Sequence, residues 1–304
     1  MKNQYVGDIG DYGKYSLLRF LAREIRIGVN WYLTDNDGSS DGGFTKYLRK
    51  DGEKSFDPDI YRELKRIVDT HGDARTVQMV QAAGLIPGAS FFDEMLDTDR
   101  VSPPERAERR GRWFAASLAA LDHAELIFAD PDNGITFTKR AGQKGCEKYV
   151  LPEEIAKYYC CAGKDVVFYC HKGRRKDDAW AQTIAKIKAY VGDARLFVLT
   201  YRRGTQRSYI FVVHPERAAR YKAMLAKFIS STPWGERGKF TREDSIEDFV
   251  NAAPGGDERR CPQTFPSGFA APTVGIVHPK GSTLKRNEDG TVTVIPPGTA
   301  TPSR

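Results

Sequence analysis

The chain has 304 residues, 40% of them hydrophobic, which supports a real core in one large domain or a domain with an appendage. No apolar run is long enough to span a bilayer, and residues 1–5 lack the apolar stretch of a secretory signal, so the expectation is a cytoplasmic protein with no membrane partner. Lys and Arg outnumber Asp and Glu by 47 to 40, and the net charge of +7 favours approach to a polyanion without excluding a small substrate.

Residues 14–26 read as a helix, with Leu17, Leu18, Leu21 and Ile25 on one face. Asp8 and Asp11 stand just before it, where helix capping alone accounts for one of them. A strand is predicted over 29–34, followed by a polar glycine-rich loop over 35–43. Asp57-Pro58 opens a second helix, Asp as cap and Pro in the first turn, with Tyr61, Leu64, Ile67 and Val68 as its apolar face. A short strand over 76–80 and a helix over 105–121, led in by Pro103 and Pro104, follow.

The apolar run Leu126–Ala129 then stops abruptly at Asp130-Pro131-Asp132-Asn133-Gly134. Unpaired carboxylates are costly inside a core, so the run reads as a buried strand whose carboxyl end opens into a polar crevice. In open α/β sheets such crevices bind ligands. Beyond it come a short helix over 152–159 and a second buried strand over 165–170, ending in His171-Lys172-Gly173-Arg174. A helix over 177–190, two strands over 195–200 and 208–213 around a turn at 202–205, and a helix over 215–229 complete the pattern. Alternating strands and helices imply a doubly wound, mostly parallel sheet, with an antiparallel hairpin at its edge. Residues 1–250 are expected to form this domain. The remainder, 251–304, is expected to be a linker, rich in Gly, Pro and Arg over 252–272, and a small hairpin or mobile tail over 283–295 turning at Asp289-Gly290.

Basic residues cluster at Arg106, Arg109, Arg110 and Arg112, at Lys172, Arg174, Arg175 and Lys176, and at Arg202, Arg203 and Arg207. The last two clusters follow predicted strand ends, and Lys172, Arg174, Arg175, Arg202 and Arg203 are the candidates for RNA or DNA contact. Cys146, Cys160, Cys161, Cys170 and Cys261 contain no Cys-x-x-Cys pair and read as incidental thiols. His71, His123, His214 and His278 have no chemical setting. His171 ends the strand expected beside Asp130, which makes an acid–base pair plausible there.

The element order resembles the class I S-adenosylmethionine-dependent methyltransferases, a Rossmann-like fold whose sheet ends in an antiparallel pair. One branch is closer. Gly7-Asp-Ile-Gly-Asp-Tyr-Gly-Lys-Tyr15 is similar to the segment that opens the bacterial large-subunit ribosomal-RNA adenine methyltransferases, Gly-Asn-x-Ala-Asp-x-x-Lys-His. Asp11 and Lys14 match it, and Tyr15 replaces the histidine. Tyr32-Leu33 with Asp35 to Gly38 resembles that family's first strand and cofactor loop. Asp130-Pro131 resembles the start of its Asp-Pro-Pro-Tyr motif, with Asp132 and Asn133 in place of the second proline and the aromatic. The chain also resembles an uncharacterised bacterial family with an Asp-Pro-Asp-Asn-Gly core, which brings no activity with it.

The resemblance implies methyl transfer to an amino group of a nucleic-acid base. Asp11, Lys14, Tyr15, Asp35, Asp37 and Gly38 would bind S-adenosylmethionine, and Asp130, Asp132, Asn133 and His171 would form the reaction site. An aromatic to stack the base would come from Tyr5, Tyr12 or Phe137. From the residues themselves two other readings stay open. Asp35, Asp37, Asp130 and Asp132 are hard oxygen ligands suited to Mg²⁺ or Mn²⁺, with His171 as base, in a nuclease or nucleotide hydrolase. Against it, Glu147-Lys148 lacks the spacer of a Glu-x-Lys pattern. A catalytically inactive nucleic-acid-binding protein would need no complete motif.

Overall fold

Every residue of Leu126–Ala129 is buried, and a strand with two apolar faces needs cover on both. The computed structural model describes residues 1–98, 101–203 and 205–253, with the backbone of 283–286 and 292–295. Its main sheet has seven strands: β1 (Ile27–Asn30), β2 (Ser90–Phe92), β3 (Leu126–Ala129), β4 (Asp165–His171), β5 (Arg195–Arg203), β6 (Thr205–Val213) and β7 (Phe240–Arg242). They lie in the order β2-β1-β3-β4-β6-β5-β7. The first four are parallel; β6 runs antiparallel to both β4 and β5, and β7 antiparallel to β5. The α/β architecture is as expected, except that the hairpin is not the edge. β6 is inserted against β4, and β7 covers β5 on the outside.

Successive side chains of a strand face opposite ways, and here they feed two cores. Val167 and Tyr169 of β4, Phe211 of β6 and Leu199 of β5 join one cluster with Leu17, Leu64, Val80 and Leu225. These come from helix α1 (Ile9–Leu21) and the helices Pro58–His71, Val77–Ala82 and Ala218–Ser231. Val166, Phe168, Val212 and Val198 join the other, with Phe114, Ile155, Ile184 and Val250. Those belong to the helices Pro103–Ala120, Pro152–Ala156, Asp177–Ala185 and Asp244–Ala252.

Several boundaries differ from expectation. Helix α1 begins at Ile9, not at 14: Asp8 caps it, its carboxylate accepting from the Gly10 amide at 2.8 Å. Asp11 therefore lies in the first turn, where a negative charge is favourable. β1 ends at Asn30, because the Asn30 side chain accepts from the Tyr32 amide at 3.0 Å and Tyr32 takes φ of 44°, turning the chain out of the sheet. Residues 76–80 are not a strand; Val77 and Val80 are buried three apart on the helix Val77–Ala82. The helix expected over 177–190 breaks after Ala185 and resumes as Lys188–Val191.

The chain divides into two compact units between Thr264 and Phe265. The second contains the antiparallel pair β8 (Thr283–Arg286) and β9 (Val292–Ile295). The expected linker beyond 253, the Asp289-Gly290 turn, Cys261 and His278 lie outside the described residues. Cys146, Cys160, Cys161 and Cys170 form no disulfide. Among the described residues no helix is long and apolar enough to cross a membrane.

Candidate functional site

At the end of β3 the Asp130 amide still reaches the Asn30 carbonyl, at 3.0 Å. Pro131 has no N–H to continue the ladder, and the chain leaves the sheet. Gly134 has φ of 89°, and a Cβ there would lie 2.4 Å from the Cys170 sulfur of β4, so the last residue of the run must be glycine. The Asn133 amide donates to the Lys148 carbonyl at 2.8 Å, and the Val150 amide to the Gly134 carbonyl at 2.9 Å. The braced loop presents Asp130, Asp132 and Asn133 to a cavity of about 260 Å³, which Asp8, Asp11, Lys14, Tyr5, Tyr169, His171, Arg207 and Tyr209 also line.

Two lysine ammonium groups are shared among four carboxylates there. Lys14 Nζ lies 2.6 Å from Asp130 Oδ2 and 2.8 Å from Asp11 Oδ1, with all three side chains buried. Tyr15 donates its hydroxyl to Asp11 Oδ2 at 2.9 Å. Lys2 Nζ lies 2.6 Å from Asp37 Oδ2 and 3.0 Å from Asp132 Oδ2. Burial lifts the Asp11 carboxyl from 3.8 to about 6, with Lys14 pulling it down and Asp130 pushing it up. Burial depresses the Lys2 and Lys14 ammonium groups, and their carboxylate partners outweigh it, so both stay above their ordinary value.

The N-terminal residues thread this crevice. The Met1 nitrogen donates to the Tyr32 carbonyl at 3.1 Å and to the Asp130 carbonyl at 2.8 Å, and the Met1 carbonyl accepts from the Thr34 amide at 2.9 Å. Met1 thus bridges the carboxyl ends of β1 and β3. From β1 the sheet continues to β2 on one side and β3 on the other, the switch point at which open α/β sheets bind ligands.

His171 stands opposite Arg207 in the β4–β6 pairing. Its Nε2 is 2.7 Å from the Tyr169 hydroxyl. Burial and the Arg207 charge hold the imidazole below its ordinary pKa and so favour the neutral form, against the opposing pull of Asp132. Arg207 Nη2 in turn lies 3.2 Å from Asp8 Oδ1, and a Cβ on Gly10 would come within 2.6 Å of that guanidinium. Asp8 also accepts from the Phe44 amide at 3.2 Å, so one carboxylate ties the start of α1 to both β6 and the glycine-rich loop.

Of the residues singled out in the sequence, Asp11, Lys14, Asp130, Asp132, Asn133 and His171 line one cavity. Tyr15 supports Asp11 from behind. Asp37 faces Lys2, and Asp35 and Gly38 are exposed outside the cavity lining. Lys172 pairs with Asp177, Arg175 lies over the Trp180 ring, and Arg174 is exposed. Arg202 pairs with Glu243 and Arg203 with Glu53. Arg110 leaves its basic cluster: it is buried, bonded through Nε to Glu154 Oε1 at 2.7 Å and through Nη2 to Oε2 at 2.9 Å. Tyr12 is buried among Tyr47, Tyr61 and Trp234, and Phe137 packs near Tyr190; neither lines the cavity, whereas Tyr5 does. Tyr169 was legible, being two residues before His171 on the same strand face. Asp41, Gly42 and Phe44, also in the lining, carried no signal beyond a polar loop.

The four carboxylates of the metal reading do not converge. Asp35 stands apart, Asp37 and Asp132 share Lys2, and Asp130 shares Lys14. Among the described residues no group of three or more His, Cys, Asp or Glu side chains is placed to hold a metal ion. No protein-family model matches the chain, and no curated protein matches it.

Proposed function

We propose that this chain transfers a methyl group from S-adenosylmethionine to an amino group of a nucleic-acid base. The observation that carries the reading is the meeting of Asp11, Lys14 and Asp130. These are the residues on which the sequence resemblance rests; Lys14 and Asp130 are 116 positions apart and joined at 2.6 Å in one buried cluster. The acceptor set also suits the ammonium group of that cofactor. The Tyr32 and Asp130 carbonyls accept from an amine, here the Met1 nitrogen. When bound, the cofactor supplies an electrophilic methyl group.

The chain's own residues do the remainder. Lys14 holds Asp130 by Oδ2, and the other oxygen, Oδ1, accepts an N–H of the acceptor amine and orients its lone pair. His171, favoured in the neutral form, takes the proton that the amine releases, with the Tyr169 hydroxyl fixing its ring. The carboxyl end of β4 and the β5–β6 turn lie at the same edge of the sheet, which supports backbone contact by Lys172, Arg174, Arg175, Arg202 and Arg203. A base within a duplex would have to be flipped out to reach Asp130.

Calorimetric titration with S-adenosylmethionine, followed by transfer of a radiolabelled methyl group to RNA and to DNA, tests this. Saturable heat and label in one polymer, lost in Asp130→Ala, are expected. A folded sample that gives no heat at high cofactor concentration would sink the reading.

A further inference from the structure

Beside the Asp130 cavity lies a larger one, of about 740 Å³, in the size range of small-molecule sites. The two share Asp41 and Phe44 in their linings. Phe44 is 66% exposed, and among the described residues Phe249, at 49%, is the other exposed phenylalanine. Phe44 is nonetheless held in place: its amide donates to Asp8 Oδ2 at 3.2 Å, and its carbonyl accepts from the Ile9 amide at 3.2 Å. A ring with a fixed backbone and a bare face, on the wall between two cavities, is a stacking surface.

The charge in the second cavity is of the matching kind. Arg75 is 7% exposed, yet its guanidinium is met by carbonyl oxygens: Val6 at 2.6 Å, Gly72 at 2.6 Å and Gln4 at 2.8 Å. Its one carboxylate, Asp73, is 3.5 Å away and fully exposed. With the Gly42 carbonyl at 3.5 Å the five N–H groups of Arg75 are all taken, so it offers an incoming anion its charge and no free donor; a buried cation without a buried counter-ion still favours an anion beside it. Lys46, also in the lining, makes no ion pair among the described residues, whereas Arg203 is already paired with Glu53. Asp41 and Asp73 are the acidic members of the wall.

We infer that this second cavity binds one nucleotide unit, with its base stacked on Phe44 and its phosphate held by Lys46 in the positive field of Arg75. Phe44 replaces the aromatic that the Asp130-Pro131-Asp132-Asn133 sequence lacks. A base on that ring sits at the wall of the Asp130 cavity, which makes the unit the methyl acceptor; that last assignment rests on the reading above. The unit has two sources, a single strand or a free mononucleotide.

Fluorescence anisotropy of a labelled single-stranded 12-mer, in RNA and DNA forms, is compared with competition by a free mononucleotide, for the full chain and for Phe44→Ala, Phe44→Trp and Lys46→Glu. Both positions are exposed, and thermal melts check that the variants stay folded. Phe44→Ala weakens binding about tenfold and Phe44→Trp restores it, as stacking requires; Lys46→Glu weakens it and flattens the salt dependence. Strand binding identifies a polynucleotide, and binding of the mononucleotide alone identifies the free form. Binding of neither, or equal binding by Phe44→Ala and the parent, overturns the inference. S-adenosylmethionine heat is measured on the same samples. Nucleotide binding that depends on Phe44 without cofactor heat leaves this site standing and removes the methyl-transfer reading; cofactor heat without nucleotide binding does the reverse.

Discussion

Lys14 of helix α1 and Asp130 at the end of β3 form a buried ion pair of 2.6 Å that fastens the first helix to the centre of the sheet. Removing one partner of such a pair leaves the other charge stranded, at a cost of about 3–5 kcal/mol. Lys14→Met strands both Asp11 and Asp130 and is expected to reach that range in urea unfolding. Asp130→Asn leaves Lys14 with Asp11 and costs less. The double variant is less destabilised than the sum of the singles, because both remove the same contact. Additive effects would show that the pair is not coupled.

Asp11 makes the cluster sensitive to pH. Its carboxyl titrates near 6 in the folded chain against 3.8 as the ordinary value, because burial disfavours its charge. Between those values the folded state binds more protons than the unfolded one, so stability falls as pH rises through the window. Two units correspond to at most about 3 kcal/mol. Asp11→Asn has no such proton. The stability of the parent relative to Asp11→Asn is expected to fall from pH 4 to about pH 6 and then level off, in urea unfolding at each pH. A difference independent of pH over that range would exclude the assignment.

The pair Arg110–Glu154 lies on the other face of the sheet, where it joins the helices Pro103–Ala120 and Pro152–Ala156. Arg110 also donates to the carbonyls of Cys146 at 2.8 Å and Tyr149 at 2.6 Å, and Tyr32 donates its hydroxyl to Glu154 at 3.1 Å. Arg110→Ala therefore leaves the buried Glu154 carboxylate without its counter-ion, held by the Tyr32 hydroxyl and the Leu151 amide, and removes a donor from the Cys146 and Tyr149 carbonyls. A loss of about 3–5 kcal/mol is expected, with no change in salt dependence of nucleic-acid binding. Arg109→Ala, one residue earlier on an exposed ion pair, is expected to cost less than about 1 kcal/mol.

These relationships were unequally legible in the chain. The end of β3 could be read because four apolar residues meeting Asp-Pro-Asp-Asn leave few physical alternatives. The pairing of Asp11 with Lys14 follows from helical spacing once the helix starts at Ile9, but Gly10 and Gly13 mask that start. Their lack of side chains serves close approach to Arg207 and Tyr201, which is information about distant residues. Arg110 could not be told from its basic neighbours, because a helix face is chosen by what packs on it. Residues 90–92 and 240–242 are too short to display the two-residue period of a strand, so β2 and β7 had no signal. Lys2, which binds two carboxylates, gave no sign of its role in so polar a segment.

Lys2 is also the clearest handle on access to the crevice. It clamps Asp37 and Asp132 together, while Met1 beside it occupies the Tyr32 and Asp130 carbonyls. A ligand amine that uses those carbonyls must take them over from Met1, so the chain binds it only in the fraction of molecules whose N-terminal residues have moved aside. Apparent affinity scales with that fraction. Lys2→Met removes both ion pairs and raises the fraction. It is expected to tighten S-adenosylmethionine binding by roughly threefold to tenfold in calorimetry, while lowering stability to urea. Weaker binding by a folded Lys2→Met chain would instead make Lys2 part of the binding surface, with the N-terminal residues acting as a wall of the site and not as an occupant of it.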